Sequence, residues 1–143
     1  MTTKPSSVGH PGYAQTLPRA PESAVIARRL VRTALGAWGL HSLIDDATLV
    51  VTELVSNAAR HAGRPSIRVV VSRPSDGAVR LGVLDRSRVV PVVRVDSGGD
   101  CLDGRGLLLI DALTRSWGME IHRWGKQVWG ELACESPGAR HER

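Results

Sequence analysis

The sequence has few aromatic residues and few cysteines. Phenylalanine is absent, and four tryptophans and one tyrosine bring the aromatic share to only 3%. Proteins that bind single-stranded nucleic acid stack bases on aromatic side chains, so this composition disfavours that class. Cys101 and Cys134 have no Cys-x-x-Cys spacing and no histidine at metal-ligand spacing. A disulfide scaffold and a zinc site are therefore disfavoured, and two free thiols are expected.

The chain also lacks long apolar runs. A membrane-spanning helix needs about eighteen or more apolar residues in succession, and none occurs. The N-terminus, Met-Thr-Thr-Lys-Pro-Ser-Ser, lacks the apolar core of a secretion signal. We therefore expect a cytoplasmic protein without a membrane segment. With 143 residues, of which 42% are apolar, the chain has material for one hydrophobic core and one compact domain.

The net charge of +5 is unevenly distributed along the chain. Residues 1–44 hold five basic side chains and one acid, whereas residues 45–143 hold fourteen and thirteen. Arg28, Arg29 and Arg32 form a basic stripe on the first predicted helix, for which a solvated surface is favoured over an acidic partner. Because the excess is local, nucleic-acid binding stays a minor alternative.

Periodicity and turn signals predict three helices and two hairpins. Residues 1–12 and 136–143 are expected to be disordered tails around a domain at 13–135. The predicted elements are an extended piece at 13–17, helix one from Pro21 to near Gly36 or Gly39, helix two from an N-cap at Asp45 to a stop at Gly63, strands 67–72 and 79–84, a long loop over 85–103, helix three at 107–113, and strands 117–124 and 127–134 around a turn at Gly125 and Lys126.

This element order excludes a parallel Rossmann sheet, because consecutive strands pair directly. It predicts a two-layer α/β sandwich in which a mainly antiparallel sheet is covered on one face by three helices.

Three groups of polar residues are candidates for a site. Glu53 and Asn57 lie four apart on helix two and share a face, which Arg60 and His61 continue. Glycines 104 and 106 precede helix three, where backbone N–H groups can approach a phosphate, although the spacing is not that of a Walker loop. Asp85 ends an apolar strand and could accept a hydrogen bond from the amine of a base. Each feature by itself is also typical of a solvated helix face or a turn.

The order of these motifs is more specific than any one of them. The chain contains Glu53-Leu-Val-Ser-Asn57-Ala-Ala-Arg60-His61, then Asp85-Arg-Ser87, then Gly104-Arg105-Gly106-Leu107. In this order they resemble the N-box, G1-box and G2-box of GHKL-superfamily ATPases, which have the Bergerat fold. The resemblance runs from about residue 13 to 134. The closing Trp117-Gly and Gly125-Lys-Gln-Val-Trp129 are similar to the short anti-sigma-factor serine/threonine kinases of actinomycetes.

The resemblance implies ATP and Mg²⁺ as ligands and assigns a role to each motif. Asn57 would coordinate the Mg²⁺ that bridges the phosphates, and Glu53 would be the general base for an acceptor serine. Asp85 would hold the adenine amine. The other implied contacts are the phosphate-flanking Arg60 and His61, the phosphate-wrapping Gly104, Arg105, Gly106 and Leu107, an ATP lid at 92–103, and Lys126 as a further phosphate contact.

The same resemblance implies partners. A kinase of this branch would bind a sigma factor and phosphorylate a serine on an STAS-type anti-anti-sigma protein, and it would be able to form a homodimer. Many G1-boxes read Asp-x-Gly-x-Gly, whereas Ser87 and Val89 stand at those glycine positions here. This change favours, as the alternative, a regulatory binding module that uses nucleotide structurally or not at all. A histidine-kinase catalytic fragment shares the fold, but we expect no membrane segment and no dimerising phosphoacceptor helices.

Overall fold

The structure is a computed structural model and describes residues 3–5, 12–61, 66–85 and 102–134. Outside the described part lie the side chains of residues 3–5, 61 and 102–105. Residues 92–101 of the predicted lid and the predicted tail at 136–143 also lie outside it. The described elements are β1 (Thr3–Pro5), β2 (Gly12–Pro18), α1 (Ser23–Ala37), a 3₁₀ turn (His41–Leu43), α2 (Ile44–His61), β3 (Ser66–Ser72), β4 (Ala78–Asp85), α3 (Leu102–Leu113), β5 (Ser116–His122) and β6 (Gly125–Ala133).

The six described strands form one sheet in the order β1-β2-β3-β4-β6-β5, and all its pairings are antiparallel. The strands alternate as a half-covered sheet requires: Ile67 and Val69 of β3 are buried, whereas Arg68 between them is exposed. The buried face, here called the inner face, shares one hydrophobic core with α1, α2 and α3. The predicted α/β sandwich is therefore confirmed.

The helix boundaries follow from local chemistry. Helix α1 ends at Ala37, where Gly39 adopts a φ of 72° and the Leu40 amide donates to the Leu35 carbonyl. Helix α2 begins at Ile44, after the 3₁₀ turn, so Asp45 is not the N-cap that the sequence predicts. It lies in the first turn, where an acid is favourable because it faces the positive end of the helix dipole.

Two other boundaries differ from the sequence prediction. Thr3–Pro5 pairs with β2 instead of belonging to a disordered tail. The turn between β5 and β6 lies at residues 123 and 124, not at Gly125 and Lys126, which are the first residues of β6. None of the helices within the described ranges is both long and apolar enough to cross a bilayer.

Gly130 of β6 lets the helices approach the inner face. A Cβ atom at this position would lie 2.9 Å from Thr114 Cγ2 and 3.4 Å from Val50 Cγ1. We expect Gly130→Ala to lower the free energy of unfolding by about 1–3 kcal/mol, because the packed Thr114 side chain must shift. Urea unfolding checks this. Gly77→Ala is the matched control, since its Cβ would meet Cys134 Cβ only at 3.7 Å. Equal stability of the two variants would contradict the close packing.

Candidate functional site

Glu53 packs against α3 at Gly106. The glycine is buried, and a Cβ atom on it would lie 2.8 Å from Glu53 Oε2. The carboxylate therefore occupies the space that a side chain at position 106 would fill. The sequence predicts Gly106 in a loop before helix three, but α3 already begins at Leu102 and Gly104, Arg105 and Gly106 are helical. Close packing of α2 on α3 explains why glycine is accepted in a helix, where it is otherwise unfavourable.

Helices α2 and α3 run antiparallel. The Gly130 position lies under Val50 of α2 and Ile110 of α3, whereas Gly106 of α3 lies against Glu53 of α2. A later residue of α2 therefore lies beside an earlier residue of α3, as expected for antiparallel helices. The turn of α2 that follows Glu53 consequently faces the start of α3, where backbone N–H groups carry partial positive charge.

Asn57 lies on that turn and has an unusual environment. It is 4% exposed, and its Oδ1 is the one buried side-chain nitrogen or oxygen in the described part of the chain without a hydrogen-bond partner. A buried oxygen left in this way costs about 1–3 kcal/mol. A buried polar atom of this kind is a candidate position for binding a ligand, an ion or a water.

Asp85 and Lys126 form a buried ion pair on the inner face. They are direct partners in the register of β4 and β6, next to the apolar pair Val83 and Val128. Lys126 Nζ lies 3.3 Å from Asp85 Oδ1, and each side chain is 1% exposed. Lys126 is thus paired with the residue to which the resemblance assigns the adenine amine, and its own phosphate contact stays a prediction. The sequence carried a signal for this burial, because Lys126 lies an even number of residues from the inward-facing Val128 and Leu132 on the same strand.

The ion pair and the C-terminal half of α2 lie at the same end of the molecule. Arg19 directly follows β2 and its Nη1 donates to the Ala59 carbonyl of α2 over 2.9 Å. Thr16 of β2 and Leu84 of β4 are both register partners of Arg68. The end of α2 therefore lies over the ends of β2 and β4. Tertiary structure thus brings Glu53, Asn57 and the start of α3 to the end of the sheet that carries Asp85.

The remaining predicted site residues lie near the end of α2 and in the first half of α3. Arg60 is exposed near the end of α2, and His61 is its last residue. Gly104 and Arg105 lie in the first turn of α3. Leu107 is 1% exposed and belongs to the hydrophobic core. The nucleotide contacts assigned to these residues stay predictions.

A cavity of about 320 Å³ adjoins Asp85 at the ends of the strands. Its described walls also include Thr16, Arg68 and Trp124, whereas Glu53 and Asn57 are not among them. Thr16 and Arg68 belong to the outer face of the sheet and Ile67 to the inner face, so the cavity lies across the end of the sheet.

The donor set fits Mg²⁺ and phosphate. Mg²⁺ takes oxygen ligands and usually keeps several waters together with phosphate oxygens, so one amide oxygen is an adequate protein contribution. Asn57 Oδ1 is buried and has no partner, and Glu53 lies one turn away on the same face. The start of α3 adds backbone N–H groups suited to an anion. The residues present therefore fit a Mg²⁺-nucleotide.

Comparisons with known proteins agree with this geometry. Residues 17–129 match the family described as "Histidine kinase-like ATPase domain". Among solved structures, the chain is similar to the RsbU and RsbW domains of Rv1364c from Mycobacterium tuberculosis, with a TM-score of 0.67 and 24% identity over 89% of this chain. The match spans 33% of that longer chain. No curated protein matches the sequence.

An antiparallel sheet under three helices, with the polar motifs at one end of α2, defines an α/β sandwich of the ATPase type. Because the family match covers most of its residues, the chain belongs to the histidine kinase-like ATPase domain family. The predicted resemblance to GHKL ATPases is thereby confirmed.

Proposed function

We propose that the protein is an ATP-binding anti-sigma regulatory serine/threonine kinase. It would act in the cytoplasm, bind a sigma factor, and phosphorylate a serine of an STAS-type anti-anti-sigma protein. The unpartnered Asn57 Oδ1, on the turn of α2 that follows Glu53, is the observation that carries the proposal. The family membership and the similarity of the closing motifs to short anti-sigma kinases support it.

The side-chain roles in this proposal are those that the resemblance to GHKL ATPases implies, and the positions of the residues support them. Asn57 would hold Mg²⁺, which neutralises phosphate charge when bound. The Glu53 carboxylate would accept the proton of the attacking serine hydroxyl. Glu53 is half-buried against α3, which restricts its orientation, and a general base of this kind contributes typically about 10²–10⁴-fold to the rate.

Phosphate transfer from Mg-ATP to a cognate STAS-type protein tests the proposal. We expect phosphoserine on the partner with the wild type, and a rate about 10²–10⁴-fold lower with Glu53→Gln, which keeps the side-chain shape but removes the base. Glu120→Gln is the matched control, because Glu120 is exposed on β5 and only borders Arg80 and His122, each at 3.8 Å. Transfer by Glu53→Gln at the wild-type rate would remove Glu53 from the base role.

A second candidate is a regulatory module that captures its partner without phosphorylating it. The observation that favours it is the ion pair of Asp85, whose carboxylate already has Lys126 as a partner where a base would bind. Capture of the sigma factor that is independent of nucleotide, with no phosphate on any partner, is the result expected for this candidate. Mg²⁺-dependent transfer would exclude it.

A further inference from the structure

The Asp85–Lys126 pair is placed where an apolar pair would be expected. Along β4 and β6 the inner-face partners are Val79 with Leu132 and Val83 with Val128, and the stripe then ends in two opposite charges. Both side chains are as deeply buried as the core. Removing two charges from water is costly, and apolar residues of similar volume often serve stability as well or better. The pair therefore points to a task other than holding the strands together.

The pair presents a hydrogen-bond acceptor and a donor side by side. Asp85 contributes carboxylate oxygens and accepts only, whereas the Lys126 ammonium donates only. The two groups are 3.3 Å apart on the inner face, at the end of the sheet over which α2 ends. In a buried environment such groups select a complementary ligand edge strongly, because an unmatched polar group there is costly.

Adenine has the complementary edge. Its exocyclic amine is a donor, and the neighbouring ring nitrogen N1 is an acceptor. On the basis of the proposed nucleotide binding, we propose that Lys126 is a base-contacting residue that donates to N1 of adenine while Asp85 accepts from the amine. Lys126 then determines base specificity and does not contact the phosphates. A ligand that reaches the pair must displace the side chains that cover it.

Guanine is the alternative base for such a pair. Its N1–H is a donor and its O6 an acceptor, so Asp85 and Lys126 could contact it in the opposite order. The Asp85 carboxylate has two oxygens, so it could accept from both N1–H and the exocyclic amine at position 2 of guanine. The choice of adenine therefore rests on the proposed ATP binding, and the comparison of ATP with GTP tests it.

Calorimetric titration in Mg²⁺ with four nucleotides tests the proposal. They are ATP, an ATP analogue with carbon in place of N1, an analogue without the exocyclic amine, and GTP. For the wild type we expect each ATP analogue to bind on the order of tenfold more weakly than ATP, the effect of one hydrogen bond to a charged group. GTP should bind more weakly than ATP. This comparison needs no variant, so it does not depend on the folding of one.

The double variant Asp85→Asn/Lys126→Met assigns the effect to the residues. It removes both charges together, so no lone buried charge remains, and the amide carbonyl introduced at position 85 can still accept from the adenine amine. We expect the variant to bind ATP and the analogue without N1 equally well, so that the preference for N1 disappears. The preference for the amine should persist, with ATP still bound more tightly than the analogue without it. The matched control is Arg115→Met/Glu131→Gln, which removes a partly exposed ion pair with a 2.6 Å contact between the residue before β5 and β6, and should leave both preferences unchanged.

The outcomes separate this inference from the proposed function. Equal binding of ATP and the N1-deficient analogue by the wild type would overturn the role of Lys126 but leave the kinase proposal intact. Retention of the N1 preference by the double variant, or tighter binding of GTP than of ATP, would also overturn the role of Lys126 in adenine recognition. Absence of ATP binding by the folded wild type would overturn both.

Discussion

Replacing Asn57 by alanine is expected to abolish Mg-ATP binding without reducing the stability of the fold. The Oδ1 atom is buried and lacks a partner, so its removal relieves a cost of about 1–3 kcal/mol. Alanine is also the better helix former. These gains offset the packing lost with the amide. A free energy of unfolding at or above the wild-type value is therefore expected, together with an affinity for Mg-ATP lower by about 100-fold or more, as loss of a metal ligand predicts.

Thr48→Val is the matched control on the same helix. Thr48 is also buried, but its hydroxyl donates to the Asp45 carbonyl at 2.8 Å. This variant loses a satisfied hydrogen bond and should be about 1 kcal/mol less stable, with unchanged nucleotide affinity. Urea unfolding and calorimetry on both variants make the comparison. If Asn57→Ala proved the less stable of the two and still bound Mg-ATP, the amide would be a structural group.

Gly106→Ala is expected to reduce phosphate transfer as severely as Glu53→Gln. The new Cβ would lie 2.8 Å from Glu53 Oε2, which is the flexible end of its side chain, so the carboxylate turns away at little cost in stability. The rate should fall by about 10²–10⁴-fold, while the affinity for ATP stays within a few-fold of wild type. In the double variant Gly106→Ala/Glu53→Gln we expect no further loss, because both changes remove the same group.

Gly36→Ala provides the control for a helical glycine. Its Cβ would meet His41 Cε1 only at 3.9 Å, so this variant should gain about 0.5–1 kcal/mol of stability and keep full activity. Rates of transfer and urea midpoints distinguish the cases. Losses in the Gly106 and Glu53 variants that add up in the double variant would show that Gly106 acts on the phosphates and not through Glu53. A drop in ATP affinity for Gly106→Ala would lead to the same conclusion.

Much of the fold was predictable because its signals are local. The periodicity of Val50, Val51, Leu54 and Ala58 predicts α2, and these side chains are indeed in the core. The alternation in β3 and β4 and the Pro-Ser-Asp-Gly turn predict their hairpin, which the structure confirms. The spacing of Glu53 and Asn57 places them on one helical face whatever the helix packs against.

The boundaries that the sequence missed depend on contacts with distant residues. Glycines 104 and 106 have low helix propensity, which favours a helix start after them. The contact of Gly106 with Glu53 outweighs that propensity, and it joins residues 53 positions apart in the chain. Similarly, the glycine at 125 suggests a turn there, but pairing of β4 with β6 extends the strand to include it.

The sequence by itself determined the two-layer sandwich and which side chains share each element's inner face, because helical and strand periods operate within a few residues. Only the tertiary structure decided which groups meet. A shift of the β5–β6 turn by two residues keeps every side chain on its face but changes its surroundings, which is how Lys126 moves from a solvated turn to a buried position opposite Asp85. Likewise, only the packing of α2 on α3 leaves the Asn57 oxygen buried without a partner, because that depends on every neighbour at once.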